Sequence, residues 1–357
     1  MLDFQNLKLS QALSYTLRSM PRGKQHTQPI LHSCNLPFTH ISVDQNSDCF
    51  LCNCEGWLPI PVGKVTDFKS LEEIWNSPIA QELQADIQQK KFSWCAVTYC
   101  GITNHNIVKK NYTLNINIDD SCNLACPSCR RESRMLEKGP EFDSKTKDLN
   151  QILEWLEKFN EPITISLGGT GDALASQLIR NLIKTYRYKP SQTFRITTNG
   201  LLLKKVIAES AIKPAITFFS VSVDAGSKEV YEQVRRPGKW LALMENLEWL
   251  ANNQQHSNVN LNFVLQKTNF RDLPAFVDLC QQFNFNGSVM ALNDWGTWNS
   301  KPVINPDAYT IVNGTYLDHD VADPNHLEHN EFLAVLKHIR EKNFNFLNFN
   351  PYFDKFK

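Results

Sequence analysis

Between residues 112 and 292, short apolar runs alternate with stretches of helical period. Runs of four to eight apolar or β-branched residues bounded by turn signals predict strands, and apolar residues at i, i+3, i+4 and i+7 predict helices. The strands expected are Tyr112–Ile118, Ile163–Leu167, Phe194–Thr197, Ile216–Val223, Asn258–Leu265 and Ser288–Leu292. Between them, Leu149, Ile152, Leu153, Leu156 and Phe159 share one helix face, and Trp240–Leu250 and the segment QKTNFRDLPAFVDLCQQF read as further helices. Strands alternating with helices predict β/α units around a mostly parallel sheet. Ahead of this region, Phe38, His40 or Ile41, and Val43 nearly alternate and read as a strand, Asp44–Asp48 forms a hairpin turn, and a second short strand ends in Cys52. Ser70 with Glu73 makes a capping box for a helix that Pro78 breaks in two. Residues 1–30 form a short amphipathic helix and linker; after Trp298 the chain is loop-rich, with one helix near Leu327–Glu341 and an aromatic tail.

Composition narrows the class. The 357 residues are 42% hydrophobic and 21% charged, as in ordinary globular proteins. Lys plus Arg equals Asp plus Glu at 37 each, which argues against a nucleic-acid partner and leaves no global field for an anionic membrane. No apolar run approaches the roughly 20 residues that span a bilayer. No signal-peptide pattern opens the chain, so a cytoplasmic protein is expected. Of ten cysteines, nine fall within residues 34–129. In a reducing compartment that clustering points to metal rather than disulfides.

Directly behind the strand of residues 112–118 comes CNLACPSC, with Cys122, Cys126 and Cys129 on one turn. Three thiolates this close suit a soft-metal centre: an iron–sulfur cluster, or a zinc knuckle completed from elsewhere. The bland alternative is three small buried hydrophobes. The triplet resembles the radical S-adenosylmethionine (SAM) superfamily, in which three cysteines hold a four-iron cluster and SAM chelates the remaining iron. Later segments carry the same resemblance. GGTGDALAS after the second strand is similar to the family's glycine-rich motif, which implies that Gly169, Thr170 and Gly171 make room and Asp172 accepts from the SAM ammonium. Thr198 and Asn199, before Gly200, match its TNG signature. SVDA with YEQVR resembles a segment that implies Ser222 and Asp224 near the ribose and Arg235 on the SAM carboxylate. By themselves these residues also read as a helix cap (Asp172), a turn (Asn199-Gly200) and one polar strand face (Ser220, Ser222, Asp224). Ser128 departs from the aromatic usual before the third cysteine.

The N-terminal cysteines read as two plus two with a helix between: Cys34 and Cys52, then Cys95 and Cys100. Four thiolates closed by protein alone suit a cluster or a structural zinc. Cys34, Pro37, Phe38, Cys52, the run Ser70–Pro78, Cys95 and Cys100 resemble the SPASM/twitch module that accompanies many radical SAM enzymes. The resemblance implies a second, auxiliary 4Fe–4S cluster; Ser47 stands where that module has glycine and Cys49 where it has valine. Cys54 is an alternative ligand to Cys52, whereas Cys49 and Cys280 read as packing residues.

The fold expected is α/β: a partial (β/α)6 barrel of the radical SAM type with a small cysteine-rich α+β module before it. Boundaries fall at 1–30 (helix and linker), 31–108 (auxiliary module), 109–300 (partial barrel) and 301–357 (helical extension). The resemblance implies reductive cleavage of SAM to a 5′-deoxyadenosyl radical that abstracts hydrogen from a substrate C–H bond. It also implies a flavodoxin- or ferredoxin-like electron donor, and a peptide or protein as substrate, with a small metabolite or nucleotide as the alternative. Trp295 and Trp298 stand where substrate or a neighbouring segment would sit, and no residue is assigned as radical acceptor, although Tyr231 and Cys54 are conceivable. The alternative from another class is a zinc-binding interaction protein.

Overall fold

The computed structural model describes residues 34–52, 58, 60–95, 111–253, 258–294 and 315–356. The expectations for residues 1–30, Cys54, Cys100, Trp295 and Trp298 lie outside them. The chain divides into two compact units. Of the described residues, the first holds those within 34–121 and 136–195, and the second those within 122–135 and 196–356.

The first unit opens with a short helix α1 (Leu36–Thr39), strands β1 (His40–Val43), β2 (Asp48–Phe50) and β3 (Gly63–Lys64), and helices α2 (Leu71–Trp75) and α3 (Pro78–Gln88). β4 (Tyr112–Ile116), α4 (Pro140–Lys158), β5 (Ile163–Leu167) and α5 (Gln177–Thr185) follow. β6 (Gln192–Thr198) carries the chain from this unit into the next. The strand order β5-β4-β1-β2-β3 contains a pairing that periodicity does not announce. β1 belongs to the cysteine-rich module, yet it lies parallel to β4, with His40 opposite Thr113 and Val43 opposite Ile116. β4 is likewise parallel to β5, whereas the β1–β2 and β2–β3 pairs are antiparallel. The module's first strand therefore extends the parallel sheet.

Local chemistry explains the helices of that module. Ser70 caps α2 by accepting from Glu73 N–H, but the Glu73 carboxylate turns to Lys69 N–H, one residue beyond the expected reciprocal partner. Ser77 caps α3, whose first residue Pro78 needs no N–H partner, so the helix is split as Pro78 predicts. Trp75 binds α2 to the sheet: its indole N–H donates to His40 O at 3.3 Å, and its ring lies 5.1 Å from Tyr112 and 5.9 Å from Phe159. On α4 the expected face is buried at Leu149, Ile152, Leu156 and Phe159. Leu153 is only half-buried, and Trp155 joins the core instead, donating to Phe68 O.

In the second unit β7 (Ile216–Ser222), β8 (Asn258–Leu265), β9 (Asn286–Ala291) and β10 (Leu347–Phe349) are all parallel, in that order. Helices α6 (Leu203–Ile207), α7 (Lys228–Val234), α8 (Trp240–Asn253), α9 (Leu273–Phe283) and α10 (His329–Glu341) complete it. β10 comes from the aromatic tail, whose place the sequence left open; it adds a strand at the β9 edge. Phe353, just beyond it, is fully buried and packs on Phe332 of α10. The core is apolar on one side of the strands: Phe219, Val221, Leu261, Phe263 and Val289 are completely buried. Cys280 sits among such residues, as its helical position predicts, and burial pushes its thiol up to about 12. Cys49 in the first unit is also fully buried and its thiol is held protonated. In chain order β4 to β9 supply the six strands of an α/β fold with a small module before the core, and β4, β7 and β9 end one or two residues earlier than their patterns suggest.

Candidate metal and cofactor site

The cysteine loop is shaped by its own backbone. Cys122 and Arg134 exchange both backbone hydrogen bonds, at 2.7 and 3.0 Å, which closes the loop like a clasp. Pro127 sets the turn after Cys126, and Cys129 N–H and Arg130 N–H both donate to Cys126 O at 2.9 Å. A turn with an i, i+3 bond places Cys126 and Cys129 on the same side. Ala125 N–H donates to Arg236 O, fixing the loop to the segment after α7. Cys126 is buried, Cys122 half-buried and Cys129 exposed.

These thiols are not equivalent. Burial pushes the Cys126 thiol up to about 12; Arg235 pulls it back, while Cys129 and Cys122 push it further up. Among the described residues, no three Cys, His, Asp or Glu side chains are drawn together as a lone ion requires. The donor set fits a four-iron cluster by its chemistry: three cysteines on one clasped loop, with N–H donors from elsewhere aimed at two of the sulfurs. Asn199 Nδ2 lies 3.9 Å from Cys122 Sγ, and Arg235 Nη1 lies 3.7 Å from Cys126 Sγ.

Asn199 does more than make a turn. Its Nδ2 donates to Asn123 Oδ1 at 2.8 Å, and its Oδ1 accepts from Leu201 N–H. Thr198 Oγ1 accepts from Gly200 N–H, and Gly200 takes φ +85°, where a Cβ would stand 2.8 Å from Leu243. The TNG segment thus braces the cysteine loop at Cys122 and Asn123. Asn123 was not singled out from the sequence; its only signal is its place beside the first cysteine.

The expected shared face of Ser220, Ser222 and Asp224 holds for the two serines and stops there. β7 ends at Ser222, and the N–H groups of Val223 and Asp224 both donate to Asn262 O. That doubling is a bulge-like step, and Asp224 enters a left-handed conformation at φ +58°, so strand alternation no longer sets its direction. Its carboxylate is buried, accepts from Val264 N–H at 2.7 Å and pairs with Arg235 Nη2 at 2.7 Å. Burial raises the Asp224 carboxyl and Arg235 lowers it again. Burial is the largest single influence and works against the Arg235 charge, but Asp224, Cys126 and Tyr231 together outweigh it and keep the guanidinium protonated. The two residues expected at the ribose and carboxylate of SAM have each other as partners.

The glycine-rich loop lies in the first unit and packs against the segment that leads to the first cysteine. A Cβ on Gly169 would come 2.3 Å from Asn117 Cγ, and one on Gly171 2.4 Å from Ser121 O. Asp172 N–H donates to Ser121 O at 2.7 Å. Asp172 Oδ1 accepts from Leu174 and Ala175 N–H, a local turn that leaves the capping of α5 to Ser176. Ser176 Oγ also donates to Asp119 Oδ2 at 2.5 Å, and Asp119 Oδ1 accepts from Ser121 N–H. Thr170 is exposed and bonds Gln45. Asn117, Asp119 and Ser121 were missed in the sequence; the acid pair DD just before the first cysteine was the available signal.

Cys34, Cys52 and Cys95 all belong to the first unit: Cys34 before α1, Cys52 just after β2 and Cys95 beyond α3, its N–H on Phe92 O. Cys52 is buried and the other two are half-buried. In the second unit a cavity of about 200 Å³ opens beside Pro127 of the cysteine loop, bordered by Glu232, Arg236, Gln266, Thr268 and His319.

Comparison with known proteins agrees with this anatomy. Residues 116–280 match the radical SAM superfamily, and residues 34–101 match SPASM, an iron–sulfur cluster-binding domain. The Fe-coproporphyrin III synthase of Methanosarcina barkeri is 27% identical over 169 residues, 46% of this chain and 40% of that protein. The AdoMet-dependent heme synthase of Oleidesulfovibrio alaskensis is 26% identical over 163 residues, 44% of this chain and 39% of that one. The match thus spans about 40% of the length of these curated relatives. Streptococcus suis SuiB bound to S-adenosylmethionine aligns with a TM-score of 0.40 at 20% identity, covering 78% of this chain and 58% of that one. With a clasped three-cysteine loop and a cysteine-bearing module ahead of it in the chain, residues 116–280 form a radical SAM superfamily domain and residues 34–101 an SPASM-type iron–sulfur cluster-binding domain.

Proposed function

We propose that this chain is a radical SAM enzyme that abstracts hydrogen from a C–H bond of a peptide or protein. The observation that carries the reading is the loop of Cys122, Cys126 and Cys129, clasped at Arg134 and met by N–H donors at two of its sulfurs. The chemistry that a cluster and SAM supply together is reductive cleavage of a carbon–sulfur bond, giving methionine and a 5′-deoxyadenosyl radical. The chain's own residues hold and orient. Cys122, Cys126 and Cys129 would hold the cluster. Gly169, Thr170, Gly171 and Asp172 in the first unit, and Thr198, Asn199, Ser222, Asp224 and Arg235 in the second, would be SAM-binding residues. Cys34, Cys52, Cys95 and Cys100 would hold an auxiliary cluster that relays electrons, fed by a flavodoxin- or ferredoxin-like donor in the cytoplasm. Residues 31–108 and 109–300 would then be the auxiliary module and the partial barrel, with 1–30 and 301–357 as extensions. Among the described residues no helix is long and apolar enough to cross a membrane.

The substrate class is argued from the polar face of the second unit's sheet. Asn262 Nδ2 donates to Ser220 Oγ at 2.7 Å, Asn260 Nδ2 to Asn262 Oδ1 at 2.9 Å, and Ser288 Oγ to Asn260 Oδ1 at 3.1 Å. This ladder of carboxamides and hydroxyls across β7, β8 and β9 carries no charge, and such groups complement amides better than carboxylates. A second reading, a tetrapyrrole substrate, is favoured by the names of the two curated relatives.

The test is anaerobic reconstitution with iron and sulfide, then iron counting and paramagnetic resonance of the reduced protein with and without SAM. The expected result is about eight irons, from two four-iron clusters, with one signal altered by SAM and lost in Cys126→Ala. Zinc alone, with no response to SAM, would overturn the reading. Deoxyadenosine release stimulated by peptides supports the first substrate class, and release stimulated by a tetrapyrrole and not by peptides supports the second.

A further inference from the structure

Two of the three cysteines in the loop receive N–H groups from outside it, but the two donors are held differently. Asn199 reaches Cys122 through a carboxamide shared with Asn123 and Leu201. Arg235 reaches Cys126 with one arm of its fork while the other arm is fixed by a buried carboxylate. Arg235 Nη1 is 3.7 Å from Cys126 Sγ, and Nη2 is 2.7 Å from Asp224 Oδ2. The side chains are 13% and 4% exposed, so both charges act where water screens them little.

Asp224 is itself immobilised from three sides. Its Oδ1 accepts from Val264 N–H near the end of β8, its backbone N–H is tied to Asn262 O, and its own carbonyl accepts from Asn269 Nδ2 at 2.9 Å. Its left-handed φ turns the carboxylate out of the strand register. The result is a fixed relay from β8 through Asp224 and Arg235 to one sulfur, with the cation against the sulfur and the anion behind it.

We propose that Arg235, oriented by Asp224, is a positioning residue that sets the reduction potential of the cluster borne by Cys122, Cys126 and Cys129. The proposal rests on the cluster assignment above. Hydrogen bonds to cluster sulfurs and net local charge are two of the levers that set such potentials. One electron entering the cluster adds negative charge. A guanidinium donating to Cys126 Sγ stabilises that added charge, and a carboxylate behind it opposes it. The two members of the pair therefore act with opposite sign, which a purely structural role does not do.

The experiment is a redox titration of the reconstituted full chain, following the SAM-sensitive paramagnetic signal in the absence of SAM. Arg235→Met keeps most of the stem and removes charge and donors; the reduction equilibrium is expected to shift about tenfold toward the oxidised cluster, about 59 mV for one electron. Asp224→Asn keeps an oxygen for Val264 N–H and removes the anion; it is expected to shift the equilibrium the other way. Arg235→Lys, which keeps the charge without the fork, is expected between wild type and Arg235→Met. The auxiliary cluster's signal serves as internal reference and should not move. Should Arg235→Met fail to fold, the Asp224→Asn and Arg235→Lys pair carries the test. Equal potentials in all folded variants, or shifts of the same sign for Arg235→Met and Asp224→Asn, would overturn the proposal and leave the enzyme reading standing. A wild-type chain with no SAM-sensitive cluster would remove both.

Discussion

Ser47 shows how much a single position can carry. It stands at φ +62°, a region that costs an L-residue about 1–2 kcal/mol, and it is the position where the SPASM resemblance expects glycine. Its hydroxyl compensates: Oγ donates to Asp148 Oδ2 at 2.5 Å and accepts from Lys145 Nζ at 3.0 Å. Ser47→Gly should therefore be close to neutral, because relief of strain offsets the lost hydrogen bonds. Ser47→Ala keeps the strain and strands a buried carboxylate, so it should cost about 2 kcal/mol in urea unfolding. Equal destabilisation by both variants would show that the hydroxyl, not the backbone, decides. Gly171 is a sharper case, since a Cβ there meets the Ser121 carbonyl, which is backbone and has little freedom to yield. Gly171→Ala should cost about 1–3 kcal/mol by overpacking and lower iron loading at the SAM-sensitive cluster, measured by thermal unfolding and iron per chain. At this scale the sequence named most of the candidate residues but few of their partners. Asp224 illustrates why: its direction is set by a bulge-like step fixed by Asn262, 38 residues on in the chain (262 − 224), and no local pattern encodes that.

Trp75 makes the corresponding case at the level of elements. α2 and its cap are local, and Ser70, Glu73 and Pro78 announced them. The parallel pairing of β1 with β4 is not local: it joins His40 to Thr113 across a long stretch of chain, and periodicity carries no register across such a gap. The same holds for β10, whose aromatic residues were visible but whose edge was not. Trp75 fastens the non-local pairing by touching both strands and α4's end, through His40 O, Tyr112 and Phe159. Truncating a large buried aromatic costs about 3–5 kcal/mol, so Trp75→Ala should lower the melting temperature by many degrees. Because β1 lies between Cys34 and Cys52 in the chain, auxiliary iron should fall with it, while Trp75→Phe should recover most of both.

For the molecule as a whole, the question is what the cysteines contribute to folding. In small metal domains the binding free energy is the folding free energy, and chelation unfolds the chain. This chain is built differently. Phe219, Val221, Leu261, Phe263, Phe276 and Val289 are fully buried in the second unit, and Ile116, Ile165 and Ile152 nearly or fully so in the first, with no metal ligand among them. At about 25 cal/mol per Å² of buried apolar surface, cores of this kind stabilise a sheet without help from a cluster. What depends on the cysteines is local: the loop clasped between Cys122 and Arg134, and the segments bearing Cys34, Cys52 and Cys95. Anaerobic removal of iron with a chelator should therefore leave the far-ultraviolet circular dichroism nearly unchanged and lower the melting temperature by the ligand-linkage amount. Hydrogen exchange should accelerate in residues 122–135 and not in β7, β8 and β9. Loss of the whole helical signal on chelation would mean that the clusters, not the apolar core, hold the fold.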